Sequence, residues 1–322
     1  MSFTVVIARD FDHMSDIASR IVVDDLKNVL KERDTYLLGL ATGNTPTGLY
    51  KRFAAAANAG EFDSGRIVSF NLDEYVGLPG ENAQQRVLHP QSYSFFMIQE
   101  LFSLLDTKFQ ETSVPWGTVI DQVRLEEELA AHPSDWDEQG TDKGKAIVIA
   151  PDAQSSYLRW IRREVLDAYA EKIARAGGID LHVVGVGGKG HVAFHESGIP
   201  FDGNEMLLVK LDENTVENAV TDGHFESADE SPLFAISMGS ELVYRARKVL
   251  LLANGKRKAE PVARSLMEDP SPDIPISYSQ LYAQNGGDMT YVIDEEAAVR
   301  VIDNISDITA RDIRIDDRRK NG

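Results

Sequence analysis

The chain contains no cysteine, so disulfides, thiolate metal sites and a cysteine nucleophile are excluded. It also lacks any apolar run near the roughly 18 residues that a membrane-spanning helix needs. Residues Met1 to Asp10 include a short β-rich run but neither a basic leader segment nor a cleavage site. A soluble protein that stays in the cytoplasm is therefore expected. Positive charge is scarce: 33 basic side chains face 52 acidic ones, for a net charge of −19. Such a surface repels nucleic-acid backbones and anionic lipid, so neither nucleic acid nor membrane is an expected partner. An anionic ligand would need a local positive field.

What is present is a large apolar fraction, 43% of 322 residues, enough to fill a sizeable core. Short β-branched runs alternate with helical stretches, which predicts an α/β fold with a mainly parallel sheet and helices on both faces. Strands are expected at 3–8, 36–41, 66–71, 179–186, 206–211, 234–237, 249–253 and 289–293, and 146–150 could be a further one. Helices are expected at 15–31, from about 47, at 92–105 and at 157–176. The rhythm breaks at about 110–155, where Pro115, Pro133 and Pro151 flank an acidic cluster and two glycines. At about 45 residues this stretch is short for a separate core. It reads as a surface insertion, as decoration more readily than as a lid. One domain over 1–306 is expected, followed by a charged tail at 307–322, frayed or lying on the surface. No internal repeat is visible.

In an open parallel sheet, ligands bind where the carboxyl ends of strands lead into helices. Four such ends carry unusual residues. Thr42, Gly43, Asn44 and Thr45 combine a flexible turn, two hydroxyls and the amides of a helix start, which suits an anion; an ordinary capped turn fits equally. Asp73 and Glu74 follow a buried strand as adjacent carboxylates, of which at most one faces a pocket as a general base; capping is the alternative. Gly185, Gly187, Gly188 and Gly190 let the backbone approach a ligand closely. They precede His191, His195 and Glu196, an imidazole–carboxylate grouping in which the carboxylate can orient the ring. A structural histidine remains open. Lys256, Arg257 and Lys258 gather positive charge at a fourth strand end, Lys256 and Arg257 reading as surface residues.

These segments resemble, in order, the glucosamine-6-phosphate deaminase/isomerase family. The strings are LATGNTPTGLY (40–50), FNLDEYVGL (70–78), HPQSYSFFM (89–97), IDLHVVGVGGKGHVAFHE (179–196), LLLANGKRKA (250–259) and IPISYSQL (274–281). The resemblance implies a Rossmann-like sheet of the deaminase/isomerase/CoA-transferase class. It implies conversion of a hexosamine 6-phosphate, glucosamine 6-phosphate, and water to fructose 6-phosphate and ammonia, with no cofactor and no metal. Asp73 matches the residue that moves a proton between C2 and C1, His191 the acid/base that opens the pyranose ring, and Glu196 the carboxylate that orients it. Thr42, Gly43, Asn44 and Thr45 match the phosphate loop, and Lys258 the phosphate-binding lysine. Two departures stand out. Lys189 occupies the place of an aspartate two residues before the histidine, which makes it a candidate for setting specificity, and Val220 falls where relatives carry an arginine. The alternatives are a related phosphosugar isomerase, a lactonase, or a non-catalytic sugar-phosphate-binding protein. The oligomeric state, a homo-oligomer included, is left open.

Overall fold

Runs such as Tyr36–Leu40 and Ile67–Asn71 are apolar or small at nearly every position, as suits strands covered on both faces. The computed structural model describes residues 2–221, 225–227 and 230–320. Thirteen strands occur among them. In chain order they are β1 (Ser2–Ile7), β2 (Tyr36–Leu40), β3 (Ile67–Asn71), β4 (Asp73–Val76), β5 (Glu111–Ser113), β6 (Trp136–Gln139) and β7 (Lys145–Ile149). Then follow β8 (Leu181–Val184), β9 (Met206–Lys210), β10 (Phe234–Met238), β11 (Lys248–Ala253), β12 (Asp288–Ile293) and β13 (Arg314–Asp317).

Eight of them form one sheet in the order β13-β1-β12-β11-β8-β2-β3-β5, with every pairing parallel. Its two faces are covered by separate apolar clusters. One includes Met14, Val22, Leu26, Tyr50 and Phe53, from the helices Phe11–Val29 and Thr47–Asn58. The other includes Tyr169, Val262, Leu266, Ala297 and Val301, from helices later in the chain. The expected α/β architecture with helices on both faces is therefore present. The first helix begins four residues earlier than its apolar periodicity suggests, because the Asp10 carboxylate accepts a 2.8 Å bond from the His13 amide and caps it.

A second sheet is antiparallel in the order β4-β10-β9-β7-β6; β7, β9 and β10 fall at expected strands, but their separation into a sheet of their own is not foreseen in the sequence. Alternate residues on its strands supply two further clusters, Val76, Ile147 and Leu208 on one face and Tyr75, Ala146 and Val209 on the other. The 110–155 stretch is thus woven into both sheets, β5 joining the parallel one and β6 and β7 the antiparallel one, rather than lying on the surface. The charged tail is likewise not frayed throughout: β13 pairs with β1 over Thr4–Ile7 as an edge strand. Its charged side chains suit an edge, where one side of the ladder faces water.

Leu72 joins the two sheets. Its N–H donates to Leu40 at 3.1 Å and its carbonyl accepts from Met238 at 2.8 Å. Residue 73, at the start of β4, therefore sits where the chain leaves the parallel sheet.

Candidate active site

Four adjacent strands, β11, β8, β2 and β3, end nearly level: Leu40 of β2 pairs with Asn71 of β3, and Leu251 of β11 with Val184 of β8. Past those ends lies a cleft of about 550 Å³. All four of the segments singled out in the sequence line it, through Thr42–Thr45, Asp73, Gly185–Gly188 with His191, and Lys256–Lys258.

The turn after β2 holds Gly43 at φ +104, a left-handed conformation that glycine adopts without a Cβ penalty. The Thr45 hydroxyl donates to Asn254 Oδ1 at 2.7 Å, tying this turn to the one after β11. There the Gly255 N–H donates to the Asp294 carboxylate at 3.0 Å, and Lys256–Lys258 make one 3-10 turn. Lys256 and Arg257 line the mouth of the cleft yet stay exposed. The described residues thus put Thr42–Thr45 and Lys258 around one space.

Asp73 and Glu74 separate as adjacent residues on a strand must. Asp73 faces the cleft, where the Thr42 hydroxyl lies 3.4 Å from its Oδ1. Burial, and secondly the neighbouring Glu74 charge, push the Asp73 carboxyl well above the usual range, with the Thr42 contact opposing. Glu74 turns inward. It accepts from the amides of Tyr75 (3.0 Å), Tyr93 (2.9 Å) and Ser94 (2.9 Å) and from the Ser94 hydroxyl (2.9 Å), clamping the start of the helix Tyr93–Glu100. Burial raises its pKa to about 7, against those four donors.

The glycine turn places His191. A Cβ on Gly187 would stand 1.8 Å from His191 Nε2, so only glycine leaves room for the ring. The Gly187 N–H donates to the His191 carbonyl at 2.9 Å. His191 Nδ1 lies 3.5 Å from Glu196 Oε2, an ion-pair distance without a formed hydrogen bond. Glu196 is 1% exposed and is held by the Thr215 hydroxyl at 2.6 Å and, more weakly, by the Asp212 amide at 3.4 Å. Ala193 adopts φ +51, which costs a non-glycine residue about 1–2 kcal/mol. The next residue, Phe194, donates its N–H to Ser237 Oγ at 2.9 Å and stacks on Tyr93 at the cleft wall.

His195 is structural. Its Nδ1 accepts from the Ser240 amide and its Nε2 donates to the Ile199 carbonyl, both at 3.0 Å, and burial lowers its pKa to about 4. Lys189 does not line the cleft, contrary to the expectation that it sets specificity there. It pairs with Asp142 and Asp212 instead; burial works against its charge, but the two carboxylates outweigh that and raise its pKa. Val220 is half-buried against the apolar cluster of Val209, Val216 and Phe225. The sequence reading missed Thr215, Asn254 and the aromatic wall of Tyr75, Tyr93 and Phe194. Among the described residues, no three His, Asp or Glu side chains are grouped to hold a metal ion. No described helix is long and apolar enough to cross a membrane.

The sequence profile of glucosamine-6-phosphate isomerases/6-phosphogluconolactonase matches residues 139–286. A glucosamine-6-phosphate deaminase of Clostridium acetobutylicum is 33% identical over 294 residues, which span 91% of this chain and 98% of that protein. The chain belongs to this deaminase family. A second family member, the glucosamine-6-phosphate deaminase of Thermoanaerobacter pseudethanolicus, is 32% identical over 93% of this chain and 95% of its own. Among solved structures, a monomeric glucosamine-6-phosphate deaminase superimposes with a TM-score of 0.68 at 28% identity, covering 92% of this chain and 99% of that one. The 6-phosphogluconolactonase of Thermotoga maritima, at 17% identity and a TM-score of 0.57 over 90% of this chain and 99% of its own, shares the fold of the deaminase family.

Proposed function

We propose that this chain converts glucosamine 6-phosphate and water to fructose 6-phosphate and ammonia, an isomerisation followed by hydrolytic loss of the amine. The observation that carries this reading is the placement of a buried, high-pKa carboxylate, Asp73, in one cleft with the His191–Glu196 pair and the Thr42–Thr45 and Lys258 anion cradle.

The phosphate sits against Thr42–Thr45 and Lys258, where turn amides, hydroxyls and an ammonium meet. That grip fixes the sugar so that its reacting carbons lie over the ends of β8 and β3. His191 moves a proton between O1 and the ring oxygen to open the pyranose, while Glu196 stabilises the charged ring. Asp73 then removes the proton from C2. The C2–H electrons form a C1=C2 double bond and the aldehyde oxygen takes up a proton. Asp73 returns its proton to C1, leaving an iminium at C2; water adds there and ammonia departs. No net oxidation occurs. A carboxyl raised by burial is the stronger base for such a carbon acid, and it keeps the proton between the two steps.

The test is ammonia release by purified protein across glucosamine, galactosamine and mannosamine 6-phosphates, with 6-phosphogluconolactone hydrolysis run beside it. Release from the glucosamine compound supports the reading. Lactone hydrolysis without ammonia release moves the protein to the lactonase chemistry of its more distant structural relatives.

A further inference from the structure

Three charged side chains meet beside the cleft. Lys189 Nζ lies 2.7 Å from Asp142 Oδ2 and 3.0 Å from Asp212 Oδ2. They come from three separate elements. Asp142 is in the turn between β6 and β7, Lys189 is in the glycine turn two residues before His191, and Asp212 directly precedes the helix Glu213–Thr221. That helix start is what holds Glu196. The Asp212 N–H points at Glu196 Oε1, its carbonyl accepts from the Thr215 amide at 2.9 Å, and the Thr215 hydroxyl donates to the same Glu196 oxygen.

The β6–β7 turn also rests on Glu196 directly. A Cβ on Gly144 would stand 2.6 Å from Glu196 Cβ, so the bare backbone of Gly144 covers the carboxylate's stem. The Thr141 N–H donates to the Gly198 carbonyl at 3.2 Å, joining the turn to the segment just past Glu196. Glu196 is thus buried partly by a stretch whose sequence reads as decoration.

We propose that Lys189, Asp142 and Asp212 form a clasp that holds the β6–β7 turn over Glu196, so that Asp142 and Lys189 are positioning residues for the Glu196–His191 pair. This rests on the reading of Glu196 as the carboxylate that orients His191. A single ammonium between two carboxylates is directional at both ends. Losing the outer one frees the turn, and the inner one, buried beside the Glu196 anchor, loses the cation's fixed position. A displacement of about 1 Å at a reacting group can cost on the order of 10²-fold in rate.

The experiment compares the full-length protein with Asp142→Ala and Asp142→Glu. Asp142 is at the protein surface end of the clasp, so neither change threatens the fold. Hydrogen–deuterium exchange of residues 139–145 and steady-state ammonia release from glucosamine 6-phosphate are measured in parallel. In Asp142→Ala the exchange of 139–145 accelerates by about tenfold, and kcat falls by roughly 10- to 100-fold with KM within about twofold. Asp142→Glu, which keeps the carboxylate, restores both. Unchanged exchange overturns the clasp. Faster exchange with unchanged kcat, or failure of Asp142→Glu to restore kcat, overturns the positioning role. A wild-type protein that releases no ammonia counts against the proposed reaction instead, and the exchange data then decide the clasp alone.

Discussion

Replacing Thr215 with valine removes one hydroxyl and almost nothing else. Both side chains are β-branched and similar in shape, and Thr215 is buried, so no sizeable cavity opens. What is lost is the 2.6 Å bond to Glu196 Oε1. Glu196 is then left with the Asp212 amide at 3.4 Å and His191 Nδ1 at 3.5 Å, neither of which is a strong hydrogen bond. A hydrogen bond to a charged group contributes about 1.5–3 kcal/mol, and at 1% exposure the carboxylate has little access to solvent in its place. At about 1.5 °C per kcal/mol for a chain of this size, Tm falls by roughly 2–5 °C. The same loosening lets the carboxylate drift from His191. We therefore expect kcat to fall by about tenfold, part of the 10²–10⁴-fold that a positioned acid/base group contributes, with KM little changed. Thr215→Ser keeps the donor and both properties. Differential scanning calorimetry and the ammonia assay check the two halves. A Thr215→Val protein with wild-type Tm and kcat would refute the view that this hydroxyl holds Glu196.

Gly187→Ala puts a methyl group where the His191 ring now lies, so kcat drops sharply while phosphate protection of the Thr42–Thr45 turn in hydrogen exchange persists; loss of phosphate protection as well would mean that the two parts are not independent. Glu74 provides a pH signature. Its folded pKa of about 7 exceeds the unfolded value of about 4.5, so its contribution to stability is fully present below pH 4.5 and is lost as pH rises through 7, by about 3 kcal/mol in all. Glu74→Gln should flatten that slope in urea unfolding followed between pH 4.5 and 8, and an unchanged slope would assign it to other groups.

Much of the site could be read from the sequence because turn chemistry at strand ends is local. Gly43 needs its left-handed conformation and Gly187 its missing side chain wherever the rest of the chain goes. The split between Asp73 and Glu74 was legible for the same reason, since adjacent strand residues point to opposite sides. The antiparallel sheet was not legible. β6 is Trp-Asp-Glu-Gln, four residues without apolar alternation, and its meaning comes from distant partners. β13, Arg-Ile-Asp-Asp, carries the composition of a loop because an edge strand tolerates charge. Thr215 stands in a polar helix with no motif around it; only the fold brings its hydroxyl to Glu196. Lys189 reads from the sequence as a residue of the glycine turn, but the direction of its side chain depends on Asp142 and Asp212, 47 and 23 residues away.

The most direct test of the account is ammonia release from glucosamine 6-phosphate by the wild-type protein and by Asp73→Asn. The amide preserves the shape of the side chain and its contact with Thr42 but cannot accept the C2 proton. The account predicts steady release by the wild type and, in the variant, a kcat lower by at least roughly 10²–10⁴-fold, with glucosamine 6-phosphate still bound at near wild-type affinity in calorimetry. An Asp73→Asn protein that releases ammonia at the wild-type rate would contradict it.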